Sequence, residues 1–126
     1  MDRNYHLQLR NVRHYYNDNI VLDIDTLTIE KGKIIVFVGP NGSGKTTLLH
    51  TMSLILKPTM GEILFDGKGV EWNESKLVQI RRLITVVAQN PFMFNTSVQA
   101  NIDYGLKIRN ISKKARREII NNILER

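Results

Sequence analysis

The chain has 126 residues, with 18 Lys and Arg against 12 Asp and Glu for a formal net charge of +6, and it is 42% hydrophobic and 24% charged. That length holds one core of ordinary domain size with no room for a second domain, and no apolar run approaches the ~20 residues that span a bilayer. The start, Met1-Asp2-Arg3-Asn4-Tyr5-His6, has no apolar stretch behind a basic cluster, so no secretory leader is expected, and zero cysteines exclude disulfides.

In chain order, Leu7 to Val12 and Ile20 to Ile29 read as two strands of a hairpin, with Asn17-Asp18-Asn19 as the turn. Ile34-Ile35-Val36-Phe37-Val38 is an unbroken apolar run, which predicts a parallel strand buried on both faces. Gly39-Pro40-Asn41-Gly42-Ser43-Gly44-Lys45-Thr46 follows and fits Gly-x-x-x-x-Gly-Lys-Ser/Thr at every fixed position. Behind it Leu48, Leu49, Met52, Ile55 and Leu56 repeat at helical spacing, predicting a helix that runs until Lys57-Pro58. Gly61 to Phe65 predicts a strand closed by the turn pair Asp66-Gly67, and a short helix is expected over Glu74 to Leu83. Ile84-Thr85-Val86-Val87-Ala88 predicts a further strand leading into Gln89-Asn90-Pro91-Phe92. Helices over Val98 to Tyr104 and from Ser112 onward close the chain, with Ser112 as a cap. The alternation of strands and helices makes the fold class α/β.

The glycine-rich octet carries the chemistry. A polyphosphate needs several convergent donors, and backbone N–H groups without side chains are the densest supply. Gly39, Gly42 and Gly44 open that access and tolerate the positive φ of a tight anion-wrapping loop. Lys45 adds an ammonium for the β- and γ-phosphates, and the Thr46 hydroxyl is placed to ligate Mg²⁺. A glycine turn that binds nothing would not need to sit between an apolar strand and an amphipathic helix whose N-terminus favours anions.

Other residues carry less. Lys113, Lys114, Arg116 and Arg117 alternate with Ala115, Ile119, Ile120, Ile123 and Leu124, which reads as the solvated face of a helix. No aromatics interleave with them, so no nucleic-acid partner is expected. Asp66 ends an apolar strand as a metal-binding aspartate would, but the following Gly67 marks a turn. His6, His14 and His50 lack metal-ligand spacing.

Taken together, the octet, Tyr16 at the end of a strand, and the passage Gln89-Asn90-Pro91-Phe92-Met93-Phe94-Asn95-Thr96-Ser97-Val98 with Asn101-Ile102 resemble the ATP-binding subunits of ABC transporters. Thr59-x-Gly61-Glu62-Ile63 is similar to the family as well, in a structural role. The resemblance covers the whole chain but about the first half of the family domain. It implies a P-loop NTPase core with an N-terminal antiparallel β hairpin, truncated at the start of the helical subdomain. The corresponding segments of 1–126 are 1–30 for the hairpin, 31–90 for the P-loop core up to the glutamine loop, and 91–126 for the helical start.

The cofactors implied are ATP and Mg²⁺. Gly39, Pro40, Asn41, Gly42, Ser43, Gly44, Lys45, Thr46 and Thr47 would hold the nucleotide, and Tyr16 would stack on adenine, with Tyr15 as the alternative. Lys45 and Gln89 would take the catalytic roles, and Thr46 and Gln89 would reach the metal. A transmembrane permease subunit would dock around Gln89 to Val98, where Phe92, Met93 and Phe94 form either an exposed knuckle or ordinary core. A second nucleotide-binding subunit would pair head to tail. The resemblance places the parent protein in the cytoplasm, peripheral on the inner face of the cell membrane.

The Tyr104-Gly105-Leu106-Lys107-Ile108-Arg109 run is closer to importers than to exporters. The family's Leu-Ser-Gly-Gly-Gln signature, its second aspartate motif with the catalytic glutamate, and its switch histidine do not occur here. ATP binding without efficient hydrolysis is therefore expected of this chain, with Ile, Val or Phe left uncovered along the central sheet. A non-catalytic nucleotide-binding module and an ABC-type DNA-repair ATPase are the alternatives. A small P-loop kinase would need an arginine-bearing lid, for which Arg81, Arg82, Arg116 and Arg117 are too generically placed.

Overall fold

Alternating apolar and polar residues on either side of Asn17-Asp18 close a hairpin, Asn17 taking the left-handed conformation at φ 55° that asparagine tolerates. The computed structural model describes residues 5–125. These fall into two compact units divided between Val86 and Val87.

In the first unit β1 (Tyr5–Tyr16) and β2 (Asn19–Glu30) pair antiparallel, and β3 (Met60–Phe65) and β4 (Lys68–Gly69) extend the sheet in the order β2-β1-β3-β4. Leu7 and Leu9 face the core from odd positions, whereas Val12 and His14 do so from even ones. Asn11, at φ 49°, changes the phase by a bulge, and the β1–β3 register shifts between Arg10 and Arg13. Helices α1 (Lys45–Met52) and α2 (Glu74–Arg81) supply Leu48 and Leu77 to one cluster with Leu9, Val12, Leu22, Ile63 and Phe65.

Helix α1 stops at Met52, five residues short of Lys57, because Ser53-Leu54-Ile55 closes it. The Leu54 N–H donates to the Thr51 carbonyl at 3.1 Å and the Ile55 N–H to the His50 carbonyl at 2.9 Å, the paired bonds of a Schellman end. Leu54 occupies the left-handed position at φ 60° that glycine normally fills. Its complete burial offsets that strain. The Leu54 carbonyl accepts two bonds from Arg81 of α2, Nε at 2.9 Å and Nη2 at 2.7 Å, while Nη1 reaches Glu74 at 3.1 Å. Arg81→Ala orphans that carbonyl and is expected to lower unfolding stability by about 1–3 kcal/mol. Glu74→Gln, acting on a pair open to solvent, should change it by no more than about 0.5 kcal/mol. Urea unfolding distinguishes them, and equal small losses would remove Arg81's role as the clamp.

The two apolar runs expected as strands do not join the sheet. Neither Ile34–Val38 nor Ile84–Ala88 has a ladder partner among the described residues. Ile34 is 95%, Val36 76%, Val38 92% and Val87 87% exposed. Burial on both faces therefore does not hold within this chain. A strand needs neighbours to satisfy its backbone and cover both faces, and here Phe37 and Ile84 alone of these runs pack on the core cluster. Ile and Val are uncovered at these positions, but outside the sheet rather than along it as expected.

Asp66 is turn chemistry, at φ 46° between β3 and β4, its N–H donating to the His6 carbonyl at 2.9 Å. Lys31 at 3.0 Å and His6 at 3.1 Å hold its carboxyl below the usual carboxylate range. A depressed carboxylate stabilises the fold above its unfolded pKa, and that contribution fades as pH falls through the folded one.

In the second unit α3 (Val98–Lys107) and α4 (Lys113–Leu124) start on Ser97 and Ser112, whose hydroxyls accept the N–H groups of Ala100 and Ala115. The expected Ser112 cap is thus present. Arg116 joins the helices, donating to Asp103 at 2.6 Å and to the Ile111 carbonyl at 2.9 Å. The Asn101 amide accepts the Phe94 N–H at 2.8 Å and returns a bond to the Phe94 carbonyl at 3.1 Å, holding the loop before α3. Among the described residues no helix is long and apolar enough to cross a membrane.

Candidate functional site

The Gly39–Thr46 loop turns on two glycines in the left-handed region, Gly42 at φ 81° and Gly44 at φ 84°. A Cβ on Gly44 would lie 2.6 Å from the Val21 carbonyl, so glycine also lets the loop seat against β2. The Ser43 N–H donates to the Pro40 carbonyl at 3.3 Å, and the helix begins with the Leu48 N–H on the Gly44 carbonyl at 2.8 Å.

Helices α2, α3 and α4 each start on a side chain that accepts a first-turn N–H: Asn73, Ser97 and Ser112. Helix α1 starts on Gly44 with no side-chain cap. Its first-turn N–H groups and positive dipole end are therefore directed at the loop without competition from a capping side chain. The Lys45 ammonium donates to the Gly39 carbonyl at 2.7 Å, the Pro40 carbonyl at 2.7 Å and Ser43 Oγ at 3.3 Å. Three acceptors fix one cation over the loop. Backbone donors and a held ammonium are the groups that a polyphosphate seat requires.

The loop opens on a cleft of about 600 Å³ walled by β2 residues 21–24, by 36–40, and by Ser43, Gly44, Lys45 and Leu48. Asp23 is the carboxylate on that wall, and it is paired with Arg13 at 2.9 Å. The β2 wall was not foreseen from the sequence. The close approach of Gly44 to Val21 is its only signal, and it needs coordinates to read.

Of the residues expected at the site, Gly39, Pro40, Asn41, Gly42 and Ser43 form the exposed arc of the loop. Thr46 is exposed on the first turn of α1, whereas Thr47 is 9% exposed and belongs to the buried side. A hydroxyl on that open turn suits a hard cation bridging to phosphate oxygens. Tyr16 ends β1, half exposed, its ring edge-on to His14 with centroids 4.9 Å apart. It is outside the residues lining the cleft, as is Tyr15, whose N–H donates to Thr59 Oγ1 at 3.2 Å. Gln89 is exposed in a bend near the start of the second unit. Phe92 is 82%, Met93 60% and Phe94 43% exposed, so these three form a knuckle, with Phe94 leaning on Tyr104 at 4.7 Å between centroids. No group of three or more His, Asp or Glu among the described residues could hold a metal by itself.

The ABC transporter family model matches residues 22–126. The heterocyst differentiation ATP-binding protein HepA of Nostoc sp. is 47% identical over 91 residues, covering 72% of this chain and 15% of that protein. The phosphate import ATP-binding protein PstB 2 of Natronomonas pharaonis is 37% identical over 105 residues, covering 82% of this chain and 37% of that protein. A solved structure of cbiO1 from Clostridium perfringens, part of the ABC transporter complex cbiONQ, aligns at a TM-score of 0.85 with 28% identity, over 98% of this chain and 50% of that one. The chain therefore spans half or less of the length of these proteins.

Proposed function

The chain belongs to the ABC transporter family, and from that premise we propose that it binds MgATP at the Gly39–Thr47 loop of a transporter ATPase. The observation that carries the reading is the Lys45 ammonium, held by two carbonyls and a hydroxyl of the loop over the uncapped start of α1. Lys45 would meet the β- and γ-phosphates and the loop N–H groups would wrap them. Thr46 and Gln89 would hold Mg²⁺, which when bound offsets phosphate charge. Gln89 would also orient the attacking water.

The parent protein would couple ATP hydrolysis to transport, with two such subunits paired head to tail and peripheral to the membrane. Its permease would dock on the segment from Gln89 to Val98, where the exposed Phe92-Met93-Phe94 knuckle offers an apolar contact. Import is the direction favoured, on the Tyr104–Arg109 run and the similarity to a phosphate import subunit. Residues 1–30 would form the hairpin, 31–90 the P-loop core and 91–126 the start of the helical subdomain. Binding with little turnover is the second reading for this chain, supported by its 126 residues containing neither the family's Leu-Ser-Gly-Gly-Gln signature nor its second aspartate motif with the catalytic glutamate.

If Tyr16 stacks on adenine, Tyr16→Ala should weaken MgATP binding by ~1–3 kcal/mol and Tyr16→Trp should preserve it. Calorimetry reads both. Normal affinity in Tyr16→Ala with loss in Tyr15→Ala would move the role to Tyr15.

A further inference from the structure

We propose a second anion site, separate from the phosphate loop, in the concavity between α3 and α4, taking a phosphate-class ligand. The concavity measures about 270 Å³. Lys113, Arg116 and Arg117 line it from α4, and Ser97, Gln99 and Asp103 from α3.

Arg116 is the fixed part. Its side chain is 18% exposed and is clamped by Asp103 and by the Ile111 carbonyl. The single carboxylate of the concavity is thereby matched by one of its three cations. Lys113 and Arg117, one helical turn apart, have no ion pair or hydrogen-bonding partner among the described residues. Two uncompensated, solvent-exposed cations therefore border one half-open concavity. The Ser97 hydroxyl accepts the Ala100 N–H at 3.2 Å, and its O–H remains available as a donor. The Gln99 amide offers two more donors.

A phosphate group matches this set because its oxygens accept from an ammonium, a guanidinium fork, a hydroxyl and an amide together. Lys113 and Arg117 are exposed on α4, as helix amphipathicity implies, and α3 supplies the wall that faces them. The concave wall contributed by α3 is what sequence does not display. The same headgroup chemistry occurs on free phosphates and on anionic phospholipids.

The test uses the full chain carrying Lys45→Ala, so that the phosphate loop does not contribute, with backbone and side-chain amide NMR during titration with inorganic phosphate. Saturable shifts are expected at Gln99, Ala100 and Arg117. Lys113→Gln with Arg117→Gln should weaken the titration about tenfold or more. Lys114→Gln, outside the concavity, should leave it unchanged. Co-sedimentation with vesicles of phosphatidylcholine, with and without phosphatidylglycerol, separates the sources. Retention on anionic vesicles that is lost in the double variant supports a lipid headgroup, and phosphate shifts without retention support a free phosphate. Absence of saturable shifts, or shifts indifferent to Lys113 and Arg117, would overturn the site.

Discussion

Replacing Lys45 by alanine is expected to reduce MgATP affinity roughly a hundredfold or more, below detection in an ordinary calorimetric titration. Hydrogen bonds to charged groups contribute ~1.5–3 kcal/mol each, and Lys45 is placed to make two to the β- and γ-phosphates. Each 1.4 kcal/mol is about a factor of ten. In the chain itself the ammonium bonds only to the exposed loop, at Gly39, Pro40 and Ser43. The substitution should therefore leave the urea midpoint nearly unchanged. Binding lost with stability retained isolates the phosphate contact. Equal affinity in both forms would remove the loop from the account.

Gly61→Ala is expected to cost roughly 3 kcal/mol or more of stability, enough to unfold a large fraction of a marginal domain. Gly61 sits at φ 88°, opposite the bulge at Asn11. A Cβ there would lie 2.3 Å from the Asn11 carbonyl oxygen, 2.5 Å from its carbon and 2.6 Å from the Arg10 oxygen. All three are backbone atoms, so no rotamer relieves the clash, and β3 must move away from β1. The left-handed conformation adds ~1–2 kcal/mol for a residue with a Cβ. Gly69→Ala is the control, since nothing lies within 4 Å of its added carbon. Thermal or urea unfolding of the two variants gives the difference directly. A Gly61→Ala variant as stable as Gly69→Ala would mean that the bulge is not fixed.

The loop and the hairpin were legible because their signals are local. Glycines at Gly42 and Gly44 announce positive φ, asparagine and aspartate mark the turn at Asn17-Asp18, and Ser112 marks a helix start. The end of α1 was not, because leucine rather than glycine occupies its left-handed position, and only the clamp from Arg81 and the burial of Leu54 account for that. The apolar runs at 34–38 and 84–88 carry strand composition, but pairing and burial depend on neighbours that no local pattern encodes. The bulge at Asn11 is displayed only by the pairing with β3, whose register shifts between Arg10 and Arg13. At the site, sequence named the loop side chains but not the wall from Val21 to Ile24 that faces them.

MgATP binding at the Gly39–Thr47 loop is tested by a backbone amide NMR titration of the unsubstituted chain with MgATP. Saturable shifts are expected at Gly42, Gly44, Lys45, Thr46 and Thr47, with smaller ones along residues 21–24, and loss of all of them in Lys45→Ala. A saturable response that leaves Gly42 to Thr47 unmoved, or no response at all, would contradict it.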